Sequence, residues 1–149
     1  MKKIVTWILV GDGKRARIFQ NEGAGKGLKP VAGGEFLTEL HPNRDLVSDK
    51  PGRVQESATT GRHAVEPRVD YHRLEKEKFA QGLAKVLDQA ALASSFTRLV
   101  LVAPPRTLGD LRAALAPRTQ ALVVSEIDKD LTHERPDQIE THLAAALTL

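Results

Sequence analysis

The chain has 149 residues, a length that fits one domain and suffices to bury a core of its own. It contains no cysteine, which excludes disulfides, thiolate metal sites and a cysteine nucleophile, and fits a reducing cytosol. A net charge of +3 permits an acidic partner such as RNA but does not demand one.

Met1-Lys2-Lys3 ahead of Ile4 to Val10 looks faintly like a secretory leader. The apolar run is short, holds Thr6 and Trp7, and leads into Gly11-Asp12-Gly13-Lys14 instead of a small-residue cleavage site, so it reads as a first strand. Its nearly continuous apolar and β-branched character predicts burial on both faces. No apolar stretch approaches the roughly 20 residues needed to cross a bilayer. Gly11 to Lys14 is a turn, and Arg15-Ala16-Arg17-Ile18-Phe19 is a second strand, which makes a hairpin. Residues 21–34 are rich in glycine and read as a loop, with a short third strand at Glu35 to Thr38. Residues 41–70 hold Pro42, Pro51, Gly52, Gly61 and Pro67 among many charges, and read as a long loop of the kind that carries function or disorder.

Helical periodicity begins near Asp70, a candidate cap. Phe79, Leu83, Val86 and Ala90 share a face with Leu87 beside them, while Glu75 to Lys78 face solvent, which predicts an amphipathic helix of about 22 residues. Leu99 to Ala103 is a buried strand ended by Pro104-Pro105. Thr107 and Asp110 have capping-box spacing ahead of a short helix with Leu108, Leu111 and Leu115 inward. Ala121 to Ile127 is a further strand, and Pro136 opens a last helix with Ile139, Leu143 and Leu147 inward. Alternation of this kind predicts parallel strands joined by right-handed crossovers. The expected fold is α/β: a three-layer mixed sheet with an N-terminal β-hairpin, a long loop, then alternating helices and parallel strands, in one domain over residues 1–149.

Candidate chemistry is sparse. Gly11-Asp12-Gly13-Lys14-Arg15-Ala16 matches the dinucleotide pattern G-x-G-x-x-A, but a strand follows it where a helix is required, so it reads as a hairpin turn. His41, His63, His72, His133 and His142 include no i, i+4 pair and no H-E-x-x-H, so no metal site is expected; His63 and His72 lie in or beside the long loop and could meet a ligand. Asp12, Asp128 and Asp130 follow strand ends, where carboxylates can hold Mg²⁺ for phosphodiester hydrolysis, although each also suits a turn. Arg44, Lys50, Arg53, Arg62 and Arg68 in the loop have the forked or charged ends that suit phosphate, interleaved with Asp45, Asp49, Glu56 and Glu66. Gly61 gives the backbone beside Arg62 latitude to approach a ligand.

Taken together the motifs resemble the bacterial host attachment family, described as proteins required for attachment to host cells. The residues that carry the resemblance are Trp7 with Gly11-Asp12-Gly13 and Arg15 to Phe19, Ser48 to Arg53, Gly61-Arg62-His63-Ala64, and Tyr71-His72 through Glu75 to Phe79-Ala80. Leu99 to Pro105 with Arg106, Leu108-Gly109 and Leu111-Arg112, and then Lys129 to Thr132, complete it. Gly11 and Lys50 stand where alanine and arginine are commoner in that pattern. The element order is also similar to the RNase H-like central domain of archaeal and eukaryotic peptide-chain release factors, whose corresponding loop carries Gly-Gly-Gln. Here Thr59-Thr60-Gly61-Arg62-His63 stands in its place, so peptidyl-tRNA hydrolysis is not implied. What the resemblance implies is a cytoplasmic module without cofactor or catalytic residue. It would bind RNA or the ribosome through Arg53, Gly61, Arg62, His63, Arg68, His72 and Arg106. An interaction or regulatory protein in host-cell attachment is the alternative, and a metal-dependent phosphodiester hydrolase using Asp12 and Asp128 is a third reading.

Overall fold

A computed structural model describes residues 3–38 and 71–144. Five strands form one sheet: β1 (Thr6–Gly11), β2 (Arg15–Asn21), β3 (Lys29–Leu37), β4 (Arg98–Ala103) and β5 (Val123–Asp128). Four helices lie between or after them: α1 (Tyr71–Leu92), α2 (Pro105–Ala114), α3 (Pro117–Gln120) and α4 (Pro136–Leu143). The strand order is β3-β2-β1-β4-β5. β1 and β2 form the expected antiparallel hairpin and β3 pairs antiparallel with β2, while β4 is parallel to both β1 and β5. β1, β3, β4 and β5 therefore all end at one edge of the sheet.

The continuous apolar pattern of β1 and β4 has the consequence expected of it. Trp7, Leu9, Leu99 and Leu101 enter one core with Ala80, Leu83, Ala84 and Leu87 of α1 and Leu108 and Leu111 of α2. Ile8, Val10, Val100 and Val102 enter a second core on the opposite face, closed by Leu131 and by Ile139 and Leu143 of α4. Helices thus cover both faces, and the architecture is three-layered. The buried face of α1 is centred on Ala80, Leu83, Ala84 and Leu87, with Phe79, Val86 and Ala90 at its margin.

Polar contacts fix the joints between layers. The Arg17 guanidinium donates to the carbonyls of Thr132 and Glu134 at 2.9 and 2.5 Å, which holds the turn after β5 against the hairpin. Asp88 of α1 accepts the Ala116 N–H at 3.1 Å and the Thr119 hydroxyl at 2.6 Å, so it caps the short α3 from across the layer. Glu140 of α4 accepts the Leu28 N–H at 2.9 Å.

Three sequence expectations are corrected. The third strand begins at Lys29, inside the stretch read as a loop, because Val31 to Gly34 form an irregularity within it: the register jumps from Arg17↔Glu35 to Phe19↔Pro30. A Cβ at Gly34 would sit 2.9 Å from the Val31 carbonyl oxygen, so the glycines permit this kink and do not end the strand. Thr107 and Asp110 do not form a capping box. Proline at the first helical position starts α2 at Pro105, which carries Thr107 into the first turn and Asp110 toward α1. The strand expected from Ala121 begins at Val123, because the short α3 at Pro117–Gln120 and its closing turn precede it. The Asp70 cap and Leu147 lie outside the described residues.

Leu101 is fully buried on β4, between β1 and β5. Leu101→Ala should lower unfolding free energy by about 2–5 kcal/mol, as read by chemical denaturation.

Candidate functional site

Where a parallel sheet turns back on itself, the chain leaves neighbouring strands in opposite directions and opens a crevice at their carboxyl ends. β1 is that point in this sheet. Its hairpin turn leads to β2 on one side, and β4, reached through α1, lies on the other. A crevice of about 370 Å³ lies there, lined by Asp12 after β1, His72, Arg73 and Lys76 of the first turns of α1, and Pro104, Arg106 and Thr107 at the start of α2.

The charges around it differ in how far they are already engaged. Asp12 closes the β1–β2 turn: its Oδ1 accepts the N–H groups of Lys14 and Arg15, each at 2.9 Å, and its Oδ2 lies 3.2 Å from the Thr132 hydroxyl. Burial raises the Asp12 carboxyl, but the two backbone donors, Thr132 and the charge of Arg15 outweigh it and hold it below the ordinary carboxylate value. The Thr132 hydroxyl lies nearer Asp130 Oδ1, at 2.6 Å, and has one proton to donate. Arg73 is ion-paired with Asp110 of α2 and lies 3.4 Å from Glu77 of its own helix. Lys76 and Arg106 have no carboxylate partner among the described residues.

The opening of α2 adds its own polarity. Its N-cap is Pro104, which supplies no side-chain acceptor, and Pro105 has no N–H. The first-turn N–H groups of Arg106 and Thr107 are thus left uncapped at the positive end of the helix dipole, beside Lys76 and the Arg106 side chain. Gly13 covers the turn side of the crevice with φ +95°, and a Cβ there would lie 3.2 Å from the Lys76 stem and 3.4 Å from Thr107 Oγ1. Glycine is needed both for that backbone angle and for that approach.

Of the candidate residues, His72 and Arg106 come together on this crevice. Arg53, Gly61, Arg62, His63 and Arg68 lie outside the described residues. The described residues that flank them lie at the same edge of the sheet: Thr38 donates its N–H to the Lys14 carbonyl at 2.8 Å, and Tyr71 begins α1. Lys76 and Thr107 were not among the sequence candidates. Lys76 sat in a charged run, and Thr107 had been assigned to a cap; Pro104-Pro105 is the signal that places Thr107 at a helix start. Asp12 and Asp128 are not brought together, because β4 lies between their strands, which sets them about 10 Å apart by strand spacing. Among the described residues no three His, Asp or Glu side chains are grouped to hold a metal ion.

Fold and crevice define a three-layer α/β domain with a cationic pocket at the carboxyl edge of its parallel strands. The chain belongs to the host attachment family, "Protein required for attachment to host cells", whose profile matches residues 7–143. No curated protein matches it. Solved structures with a similar architecture include an archaeal translation termination factor, aRF1, at 10% identity and TM-score 0.48, over 95% of this chain and 38% of that one. An archaeal protein matches at 11% identity and TM-score 0.45, over 95% of this chain and 40% of that one. The Aquifex aeolicus PPX-GPPA enzyme matches at 15% identity and TM-score 0.38, over 85% and 36%. The chain thus spans about two fifths of the length of those solved chains. Among the described residues no helix is long and apolar enough to cross a membrane.

A lowered carboxylate in the folded state adds stability above its unfolded value of about 3.9, and that stability is lost as the pH falls through the folded value. Wild type should therefore lose stability more steeply than Asp12→Asn on acidification from about pH 5. The gap between them, read by urea denaturation at each pH, should narrow as the carboxylate protonates.

Proposed function

We propose that this chain is a cytosolic, non-catalytic module that binds RNA through its phosphates, free or within the ribosome, at the carboxyl edge of the parallel strands. The observation that carries this reading is one of placement. His72, Lys76, Arg106 and the uncapped start of α2 share a crevice, and the chain leaves for residues 39–70 and returns from them at the same edge. Those residues include Arg53, Arg62 and Arg68, whose forked donors match phosphate oxygens. Asp12 and Arg73, which already have partners, hold the crevice in shape and leave Lys76 and Arg106 to meet the ligand.

The family description favours a second reading, a regulatory protein in host attachment that acts on another protein. Sucrose-gradient fractionation of a lysate separates the two. Comigration with ribosomal particles, abolished by ribonuclease, supports RNA binding, whereas a ribonuclease-resistant complex supports the protein partner.

Binding of single-stranded RNA should weaken with salt, log affinity falling by about 0.7 per neutralised phosphate for each unit of log salt. Arg106→Ala combined with Lys76→Ala should flatten that slope by about 1.4 and weaken different sequences alike. Filter binding across a salt series measures it, and an unchanged slope with both proteins folded would refute the role given to this edge.

A further inference from the structure

The uncapped helix start and the hydroxyl of one largely buried threonine converge on the same space. Thr107 is 5% exposed, lines the crevice, and its hydroxyl has no hydrogen-bond partner among the described residues. Its oxygen is not among the buried atoms shut off from a partner, so the hydroxyl is a donor open to the crevice. Gly13 holds the β1–β2 turn close above it, near enough that a Cβ would come to 3.4 Å from that oxygen.

We infer that the start of α2 is a seat for a single phosphate group. The Thr107 hydroxyl and the N–H groups of Arg106 and Thr107 would donate to its oxygens, Lys76 and Arg106 would supply charge around it, and His72 a ring N–H donor. The seat rests on the reading of this edge as a phosphate-facing surface and narrows it to one anion and its donors. The same chemistry suits a phosphodiester of RNA or the phosphate of a free nucleotide. Asp12 also lines the crevice, but its Oδ1 is taken by the Lys14 and Arg15 N–H groups and its Oδ2 faces Thr132. Those contacts tie its carboxylate to the hairpin turn and to the segment after β5. Arg73 is spent on Asp110 and Glu77, so its contribution is to pin α1 to α2 and set the width of the seat.

The test is a titration of the whole chain with inorganic phosphate, against chloride at equal ionic strength, followed by the backbone amide resonances of Gly13, Arg106 and Thr107. Saturable shifts confined to those amides are expected in wild type. Thr107→Val should weaken phosphate by about tenfold or more, the scale of a hydrogen bond to a charged group, and Thr107→Ser should restore it. Lys76→Gln, a change at a half-exposed position, should weaken it severalfold and serves if the valine variant does not fold. Wild type without saturable shifts overturns the seat, and so do folded Thr107→Val and Lys76→Gln variants that bind phosphate as wild type does. Displacement of phosphate by a short single-stranded RNA assigns the seat to a phosphodiester. Displacement by a nucleoside 5′-monophosphate alone keeps the seat and refutes the RNA reading. RNA binding that leaves the Arg106 and Thr107 amides unmoved refutes the seat and keeps the RNA reading.

Discussion

Burial of β1 on both faces and along both edges is the constraint on which the rest of the molecule depends. A strand with apolar side chains at Trp7, Ile8, Leu9 and Val10 cannot lie at the margin of a sheet or on one solvated face. It needs a neighbour on each side and a layer above and below. The hairpin supplies one neighbour through a three-residue turn. β4, reached through α1, supplies the other, and α1 in crossing supplies one layer. The chain therefore departs from β1 in one direction and arrives beside it from the other, and the crevice at its carboxyl end is the geometric result. No residue of the crevice had to be recruited for the opening to exist.

What distinguishes the crevice is which charges are spent. Ion pairs and hydrogen bonds already made decide which groups remain available to a ligand. Arg73, with Asp110 and Glu77, acts as a strut between α1 and α2. The Asp12 carboxylate acts as a staple in a two-strand turn whose glycine angle it complements. After these commitments the local surplus is positive, and the uncapped first turn of α2 adds partial positive charge of the same sign. Of the carboxylates that suggested a metal-dependent hydrolase, Asp12 and Asp128 are divided by β4, while Asp130 shares the Thr132 hydroxyl with Asp12.

The parts of the fold legible in the sequence were those set by long, uninterrupted patterns. β1, β4 and α1 were read close to their observed limits, because near-continuous burial and a helical stripe leave few alternatives. The β1–β2 turn was legible because Arg15 to Phe19 alternates where a dinucleotide fold needs a helix. Glycine misled at Val31 to Gly34, where it marks a kink inside a strand and not its end. Thr107 was misread for a comparable reason: capping spacing and proline spacing pointed to different helix starts, and the rigid φ of Pro105, already helical, prevailed. His72 was named from its place beside the long loop and from the motif resemblance, and Arg106 from the resemblance alone. That they share a crevice with Lys76 depends on the α1 crossover, which no local pattern encodes.

The connection between β3 and α1 gives the edge its last property. Thr38 is fixed to the hairpin turn through the Lys14 carbonyl, and α1 is fixed to α2 through Arg73. Thr38 and Tyr71, the described residues that flank residues 39–70, thus both lie at the carboxyl edge of the sheet. On the proposed reading, contacts from Arg53, Arg62 or Arg68 to a nucleic acid would be tethered to those from Arg106, Lys76 or Thr107, and binding at one would raise the effective concentration at the other. Substitutions in the two sets should then combine non-additively in binding energy, as members of one linked site do. Two independent surfaces would combine additively. The sign and size of that departure measure how far the rim and the loop act as one interface.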